Sequence, residues 1–342
     1  MSTTSRIVLA VLAASSVACS SSPANNGGGF FLPDVLPGDI SAADSEPSDT
    51  ATDTSEAGTD AQASDIDQPD YGDFFDDPDA VERKPDVFDD GCSERAKLVY
   101  VVTSDNTLYS FTPDKLAFAE VGKLGCKAGL GSSPFSMSVD RDATAWVLYW
   151  NGAQGVGIHS VSTLDASCQS TAFQPGNMNV FGMGFSANGA YQLDETLFVV
   201  GSNANSFWTG TNSLASIDTV NLGLSVVDQV DQPGSVELTG NGLGELYGLF
   251  TYSSPPSVRR IDKQDGTTQT KSWPLPANKF SSSAAMAFAQ WGGAFYLFYK
   301  GSGDASTNVW QLDAVSGQVK LVVPNTGMSI VGAGVSSCAP TK

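Results

Sequence analysis

Residues 92–342 alternate short apolar segments with turns of Gly, Asn, Ser and Asp, and four kinds of segment recur in the same order. A segment of small residues lies at 135–139, 181–185, 238–240, 284–288 and 331–335. A strongly apolar segment lies at 98–102, 146–150, 197–201, 246–250 and 295–299. An alternating segment lies at 108–112, 158–162, 214–218, 258–262 and 309–313. The fourth follows a turn and lies at 117–121, 168–172, 222–227, 268–273 and 318–323. Because β-branched and aromatic residues dominate these segments, the pattern predicts β-strands and no long helix.

The spacing of the alternating segment indicates how the strands are grouped. Its copies end at Thr112, Ser162, Asp218, Asp262 and Asp313. The intervals are 50, 56, 44 and 51 residues, and a period near 50 with four strands per unit is typical of β-propeller blades. The aspartates at these ends are expected to close a strand into a turn.

The two ends of the repeat complete each other. The order begins with an apolar segment at 98–102 and finishes with a lone small-residue segment at 331–335. One blade is therefore expected to take strands from both ends, which closes a ring and protects sheet edges. We predict an all-β fold, a five-bladed β-propeller of four-stranded blades. A β-sandwich or two smaller β domains is the alternative that the pattern leaves open.

The cysteines fit this arrangement. The chain has five, at positions 19, 92, 126, 168 and 338. Setting Cys19 aside leaves an even number, which suits two disulfides in an oxidising compartment. Cys92 precedes the first strand and Cys338 follows the last, so we predict a Cys92–Cys338 bond across the closure. Cys126 and Cys168 flank outer strands of successive blades, which predicts the second bond; four cysteines allow three pairings.

The first 18 residues have the layout of a signal peptide. A basic residue precedes an apolar run at 7–14, which is too short to span a bilayer. The ending Val-Ala-Cys resembles a bacterial lipobox, although Ser16 stands where Leu is usual, and it predicts lipidation of Cys19. Ordinary cleavage before Cys19 is the alternative. Since Ser20 is not the Asp of an inner-membrane retention signal, we expect export to the outer membrane or cell surface, with the lipid anchor as the only membrane contact.

Acidic residues are concentrated ahead of the repeat. Residues 20–91 hold 19 of the 37 Asp and Glu against two basic residues, and so carry −17 of the net charge of −20. Such a stretch cannot bury enough apolar surface to order itself, so we predict a disordered acidic linker at 19–91. EF-hand order is absent, which disfavours calcium binding there. Residues 92–342 hold 18 acidic and 14 basic residues. This segment therefore lacks the excess of basic residues that would indicate nucleic-acid binding.

Several glycine-rich and small-residue motifs resemble a group of uncharacterised secreted lipoproteins typical of myxobacteria. These motifs lie at 135–137, 181–185, 291–293 and 330–340. The resemblance covers residues 92–340 and extends to the layout of signal and acidic linker. It implies a propeller-like surface lipoprotein and carries over no catalytic residue.

The sequence lacks the side chains that most common catalytic and metal sites need. His159 is the only histidine and lies in an alternating segment, a position more typical of packing than of catalysis. Zinc and iron sites built on imidazoles are excluded by count, and no Gly-rich phosphate loop opens a helix. We therefore expect no cofactor and no metal.

Carboxylate chemistry is the strongest enzymatic alternative. A glycosidase needs two acids roughly 5–10 Å apart. Among the inner segments only Asp140 and Glu237 lie near suitable positions, and Glu237 is the better candidate. Equivalent positions elsewhere carry Met137, Met183 and Met286.

The loops between second and third strands should emerge on one face. The candidate ligand-binding residues on or beside them are Trp150, Asn151, Trp208, Tyr252 and Tyr299. Aromatic faces and amides suit sugars, and the alternative is that these aromatics pack between blades. The sequence thus favours a surface-displayed binding or adhesion module for a glycan or protein. An extracellular glycosidase and a structural envelope protein remain the alternatives.

Overall fold

Twenty strands form five separate sheets, each of four antiparallel strands, in this computed structural model, which describes residues 91–342. The first sheet, blade 1, contains β1 (Val99–Thr103), β2 (Thr107–Thr112), β3 (Ala117–Lys123) and β20 (Ile330–Gly334). Blade 2 contains β4 (Ser133–Val139), β5 (Thr144–Trp150), β6 (Gly155–Ser162) and β7 (Cys168–Ser170). Blade 3 contains β8 (Val180–Ala187), β9 (Glu195–Ser202), β10 (Thr211–Ile217) and β11 (Leu224–Pro233). Blade 4 contains β12 (Val236–Gly240), β13 (Leu246–Phe250), β14 (Ser257–Ile261) and β15 (Thr268–Pro274). Blade 5 contains β16 (Ser283–Trp291), β17 (Ala294–Gly301), β18 (Asn308–Asp313) and β19 (Val319–Val323).

The blades stand in a ring, with the inner strands β20, β4, β8, β12 and β16 each contacting the inner strands of both neighbours. The predicted five-bladed β-propeller is confirmed, and the sandwich alternative is wrong. Two four-residue helices, α1 (Ala204–Phe207) and α2 (Ala277–Phe280), interrupt the strands. Within residues 91–342, no helix is long and apolar enough to cross a membrane. The predicted signal peptide, the lipid site at Cys19 and the acidic linker up to residue 90 lie outside the described residues.

Both ends of the described chain supply blade 1, as predicted. Strand β20 pairs antiparallel with β1, placing Gly334 opposite Tyr100 and Gly332 opposite Val102. The Cys92–Cys338 bond closes over this pairing with a Cα–Cα distance of 5.8 Å. The second predicted bond, Cys126–Cys168, joins the segment after β3 of blade 1 to β7 of blade 2. Both predicted disulfide pairings are confirmed.

The hydrophobic core lies between neighbouring blades. Five clusters of buried side chains fill the five spaces between blades. In one of them, Val101 and Phe111 of blade 1 pack with Phe298 of blade 5. A blade buried on both faces needs apolar residues at successive positions, which explains the continuous apolar runs of β5 and β17.

Local turns close the hairpins as the sequence predicted. Asp218, Asp262 and Asp313 each accept a hydrogen bond from the backbone N–H two residues further on, at 2.8, 2.8 and 3.1 Å. Such Asx turns satisfy backbone donors that the strand no longer pairs. The recurring aspartates therefore have a structural role.

Inner strands approach each other too closely for ordinary side chains. A Cβ on Gly182 would lie 2.2 Å from the carbonyl oxygen of Val236, and one on Gly332 would lie 2.9 Å from the backbone nitrogen of Met137. At other positions a serine hydroxyl joins two inner strands. The Ser138 Oγ of β4 accepts a 2.9 Å hydrogen bond from the Phe185 N–H of β8. The close packing of the inner strands around the axis therefore requires the small residues of these strands.

We expect Gly182→Ala to destabilise the domain by at least about 2 kcal/mol, because the added methyl meets backbone that cannot move aside. Gly125→Ala is the matched control, since a Cβ there has no atom within 4 Å. Urea unfolding followed by tryptophan fluorescence measures both variants. Equal stability of the two would contradict the close-packed axis.

Removing the closing disulfide should cost more stability than removing the other. The Cys92–Cys338 bond spans 246 residues and Cys126–Cys168 spans 42. The chain-entropy relation then gives losses of about 5.5 and about 4 kcal/mol, upper values for real proteins. Cys92→Ala/Cys338→Ala and Cys126→Ala/Cys168→Ala, compared by urea unfolding, test the order. A larger loss for the second pair would show that the ring does not depend on the closure.

Candidate functional site

A cavity of about 320 Å³ opens at one end of the propeller axis. Its rim includes Ser133, Ser235, Ser283 and Val331, which lie where the inner strands β4, β12, β16 and β20 begin. The convergence of inner strands from four blades therefore builds the cavity. We call it the axial pocket.

Aromatic side chains form one wall of the axial pocket. Phe135 lies at the centre of the group, with its ring centroid 5.9 Å from Trp150, 5.8 Å from Phe207 and 5.9 Å from Trp208. Trp150 and Trp208 lie 6.4 Å apart and nearly perpendicular. Trp208 remains 45% exposed, so it presents an aromatic surface to a ligand entering the pocket.

The loop that carries Trp208 is held from two sides. Asn203 caps α1, and its side-chain oxygen accepts from the N–H groups of Asn205 and Ser206. Buried Asn212 donates to the carbonyl oxygens of Phe207 at 3.0 Å and Gly234 at 2.8 Å. Because this amide joins the α1 loop to the segment entering β12, the aromatic wall is positioned before any ligand arrives.

Glu237 is the acidic residue of the axial pocket. It is 4% exposed and lies on β12, and its Oε2 accepts a 2.8 Å hydrogen bond from Ser136 Oγ of β4. Ser136 Oγ in turn accepts from the Met183 N–H of β8 at 3.2 Å. Burial raises the pKa of the Glu237 carboxyl well above its usual range, and the Ser136 hydrogen bond opposes this only in part.

Other polar groups of the pocket are left without partners. Among the described residues, the hydroxyls of Ser133, Ser235 and Ser283 make no hydrogen bond to protein, and neither do the indole N–H groups of Trp150 and Trp208. By contrast, the indole N–H of Trp291 donates to the Lys97 carbonyl at 2.8 Å. The pocket thus combines an aromatic wall, unpaired hydroxyls and one buried carboxyl.

The structure brings together two of the five predicted ligand-binding residues, Trp150 and Trp208. Asn151 instead caps its own loop, accepting from the N–H groups of Ala153 and Gln154. Tyr252 is 56% exposed but lies against Gly234 and does not line the pocket.

Tyr299 also lies away from the axial pocket. It is 1% exposed and packs on Phe280 with ring centroids 4.9 Å apart, in the core between blades 4 and 5. The alternative reading of the loop aromatics, packing between blades, therefore describes Tyr299.

The sequence reasoning missed several residues of the pocket. These are Phe135, Phe207 and the three serines of the rim. A signal was present, because Ser133, Ser235 and Ser283 all stand at or next to the start of a small-residue strand.

Asp140, the second candidate acid, lies at the opposite end of β4 from the pocket. Its carboxylate accepts from the Thr144 N–H at 2.8 Å and the Trp146 indole N–H at 2.9 Å, which closes the β4–β5 hairpin. Asp140 and Glu237 therefore do not form an acid pair in one cavity.

The opposite end of the axis has a smaller cavity of about 250 Å³ beside the Cys92–Cys338 bond. Its polar groups bind one another. Glu195 Oε1 accepts from the Arg141 backbone N–H at 2.7 Å, and its Oε2 accepts from Ser337 Oγ at 2.6 Å. This network ties blades 2 and 3 to the segment that follows β20, so it supports ring closure.

His159 contacts the second disulfide. One ring nitrogen and the sulfurs of Cys126 and Cys168 lie within 4.8 Å of one another. Both sulfurs are bonded to each other and are not thiolates, so they are not metal ligands in this state. His159 is 5% exposed and packs edge-on against Tyr149, and burial lowers its pKa. It is a packing residue.

Fold and site together define a five-bladed β-propeller with an axial pocket. No family model matches the chain, and no curated protein does. Three solved structures that it resembles are a nidogen/laminin complex, TolB from Acinetobacter baumannii, and an inactive virginiamycin B lyase from Staphylococcus aureus with quinupristin. Their identities are 8%, 14% and 15%, and their TM-scores are 0.44, 0.39 and 0.33. The alignments cover 69%, 66% and 68% of this chain and 97%, 52% and 72% of those chains. At these values the matches carry no inference about ligand or activity.

The raised pKa of Glu237 predicts that Glu237→Gln increases the stability of the folded protein by an amount that depends on pH. The folded protein holds this proton to higher pH than the unfolded chain, so the stability from this group is full below the usual value of 4.5 and falls as pH rises. The free energy of unfolding of the variant, relative to that of the wild type, should therefore rise by about 1.4 kcal/mol per pH unit. This rise begins near pH 4.5 and ends at the pKa of Glu237 in the folded protein.

Urea unfolding at a series of pH values from 4 to 8 measures the difference. Glu120→Gln, on the exposed face of β3, controls for the loss of one negative charge. A stability difference that stays constant with pH would rule out a buried, desolvated carboxyl at position 237.

Proposed function

We propose that the protein is a surface-displayed binding module that takes a glycan in the axial pocket. The observation that supports this most is the set of unpaired groups in one cavity. The hydroxyls of Ser133, Ser235 and Ser283 and the Oε1 atom of the Glu237 carboxyl have no protein partner, and these residues line the same pocket as the exposed Trp208. A sugar offers an apolar ring face to an aromatic side chain and hydroxyls to such polar groups.

The size and shape of the pocket support a small ligand or the end of a larger one. Its volume of about 320 Å³ falls at the lower end of the range for ligand sites. The wall is largely apolar and the polar groups are few, which is the usual composition of a site that fixes orientation. A protein ligand would have to present one projecting group to this cavity, so a glycan end is the better match.

Binding fits the pocket better than hydrolysis does. Paired-carboxylate glycosidases need a second acid roughly 5–10 Å from the first, and Glu237 is the one acid among the described residues that line the pocket. Its raised pKa is a property of general acids, so a hydrolysis assay belongs beside the binding assay.

We further propose that this module is displayed on the outside of the cell. The signal-like start, the lipobox-like ending at Cys19 and the acidic stretch that follows support export and lipid anchoring. A like-charged stretch of this length would hold the propeller away from the membrane surface.

Trp208→Ala should weaken glycan binding at least tenfold, because it removes an aromatic contact worth about 1.5–3 kcal/mol. Tyr191→Ala is the control, since Tyr191 is 80% exposed and lies at the opposite end of the axis. Screening the full chain on a glycan array and titrating the bound glycans by calorimetry measures both variants.

The same glycans are then incubated with the wild type and with Glu237→Gln and analysed for cleavage. Binding that survives Trp208→Ala unchanged would contradict the axial pocket as the site. Turnover that is lost in Glu237→Gln would replace the binding module with a hydrolase.

A further inference from the structure

The Glu237 carboxyl has no cation to balance it. Ion pairs among the described residues join Lys97 to Glu94, Lys123 to Asp105 and Arg260 to Glu245, and none of them includes Glu237. The residues that line the axial pocket include no Lys or Arg. Without a cation beside it, the buried carboxyl keeps its proton. A ligand that brings a positive charge next to it lets the proton leave to solvent and forms a charge pair, which a neutral ligand cannot do.

The position of the carboxyl group is fixed by its neighbours. Oε2 accepts from Ser136 Oγ at 2.8 Å, and that hydroxyl is itself oriented by the Met183 N–H. Oε1 makes no hydrogen bond within residues 91–342. Because Glu237 lines the pocket, Oε1 is the oxygen left for a ligand.

We propose that the axial pocket selects amino sugars, an inference that rests on the proposed glycan site. A free ammonium group of the sugar pairs with Glu237 while the sugar ring stacks on the aromatic wall. An ammonium has three donors. One is directed to Glu237 Oε1, and the hydroxyl of Ser235, two residues earlier on the chain, is available to accept another. The remaining hydroxyls at the rim, on Ser133 and Ser283, bind the ring hydroxyls of the sugar.

A lysine side chain offers the same ammonium but fits this pocket less well. Its four methylenes would use the apolar wall and leave the hydroxyls of the rim unpaired, and unpaired polar groups reduce affinity when a ligand covers them. A hexose ring uses both the aromatic surface and the hydroxyls. The composition of the pocket therefore favours the amino sugar over a basic peptide.

Matched oligosaccharides test the proposal directly. The full chain is titrated by calorimetry at pH 6 with a glucosamine tetramer, with its fully N-acetylated counterpart and with the corresponding glucose tetramer. At pH 6 the free amines of the glucosamine tetramer are mostly protonated, as amines with a pKa above 6 are. We expect the free-amine tetramer to bind roughly tenfold tighter than the other two, the lower end of the range for a hydrogen bond to a charged group, because loss of the carboxyl proton offsets part of the gain.

Glu237→Gln is the test variant, since its amide oxygen still accepts from Ser136. It should remove the preference for the free amine, because the ammonium then meets a neutral amide and the charge pair is lost. Trp208→Ala should weaken all three tetramers. Urea unfolding checks that each variant is folded.

The possible results separate the two proposals. Glycan binding that depends on Trp208 but shows no preference for the free amine overturns the amino-sugar inference and leaves the glycan module standing. The same holds for a preference that Glu237→Gln does not change. Binding of a lysine-containing peptide in place of the tetramers overturns the inference too. Failure of every glycan on the array to bind contradicts the proposed function itself.

Discussion

The close approach of the five inner strands around the axis is the constraint on which the rest of this structure depends. Backbone of one inner strand lies where a side chain of its neighbour would start, so Gly182 and Gly332 have no room for a Cβ. The ring can close only if every blade contributes such a strand, and blade 1 obtains its own from the far end of the chain. The Cys92–Cys338 bond holds that contribution in place.

The same crowding creates the candidate site. A Cβ on Gly182 would lie 2.8 Å from the Cα of Glu237, so the glycine lets β12 lie close against β8. The Glu237 side chain then reaches Ser136 on β4, one blade beyond the neighbouring strand. A carboxyl that would be solvated on an outer strand is instead buried near the axis, and its pKa rises as a result.

The two ends of the axis differ in how their polar groups are satisfied. At the closure end, Glu195, Arg141 and Ser337 bind one another, and this stabilises the joint between blades. At the other end, the serine hydroxyls and one carboxyl oxygen face a cavity without protein partners. Polar groups that line an open cavity without a protein partner are positioned to take one from a ligand. This asymmetry distinguishes the site from the structural end of the propeller.

The sequence alone determined the strand order, the number of blades, the shared first blade and both disulfides. These follow from local chemistry repeated along the chain, since each segment shows its strand type by its own residues and a ring requires the ends to meet. The pocket depended on the tertiary structure. Trp150 and Trp208 were predicted because both occupy corresponding loops, but Phe135 and the serines of the rim come from the starts of different inner strands and become neighbours only when the ring closes. Whether Tyr299 faces a ligand or the core depends on the blade packed against it, and a linear pattern holds no information about which neighbour covers which face.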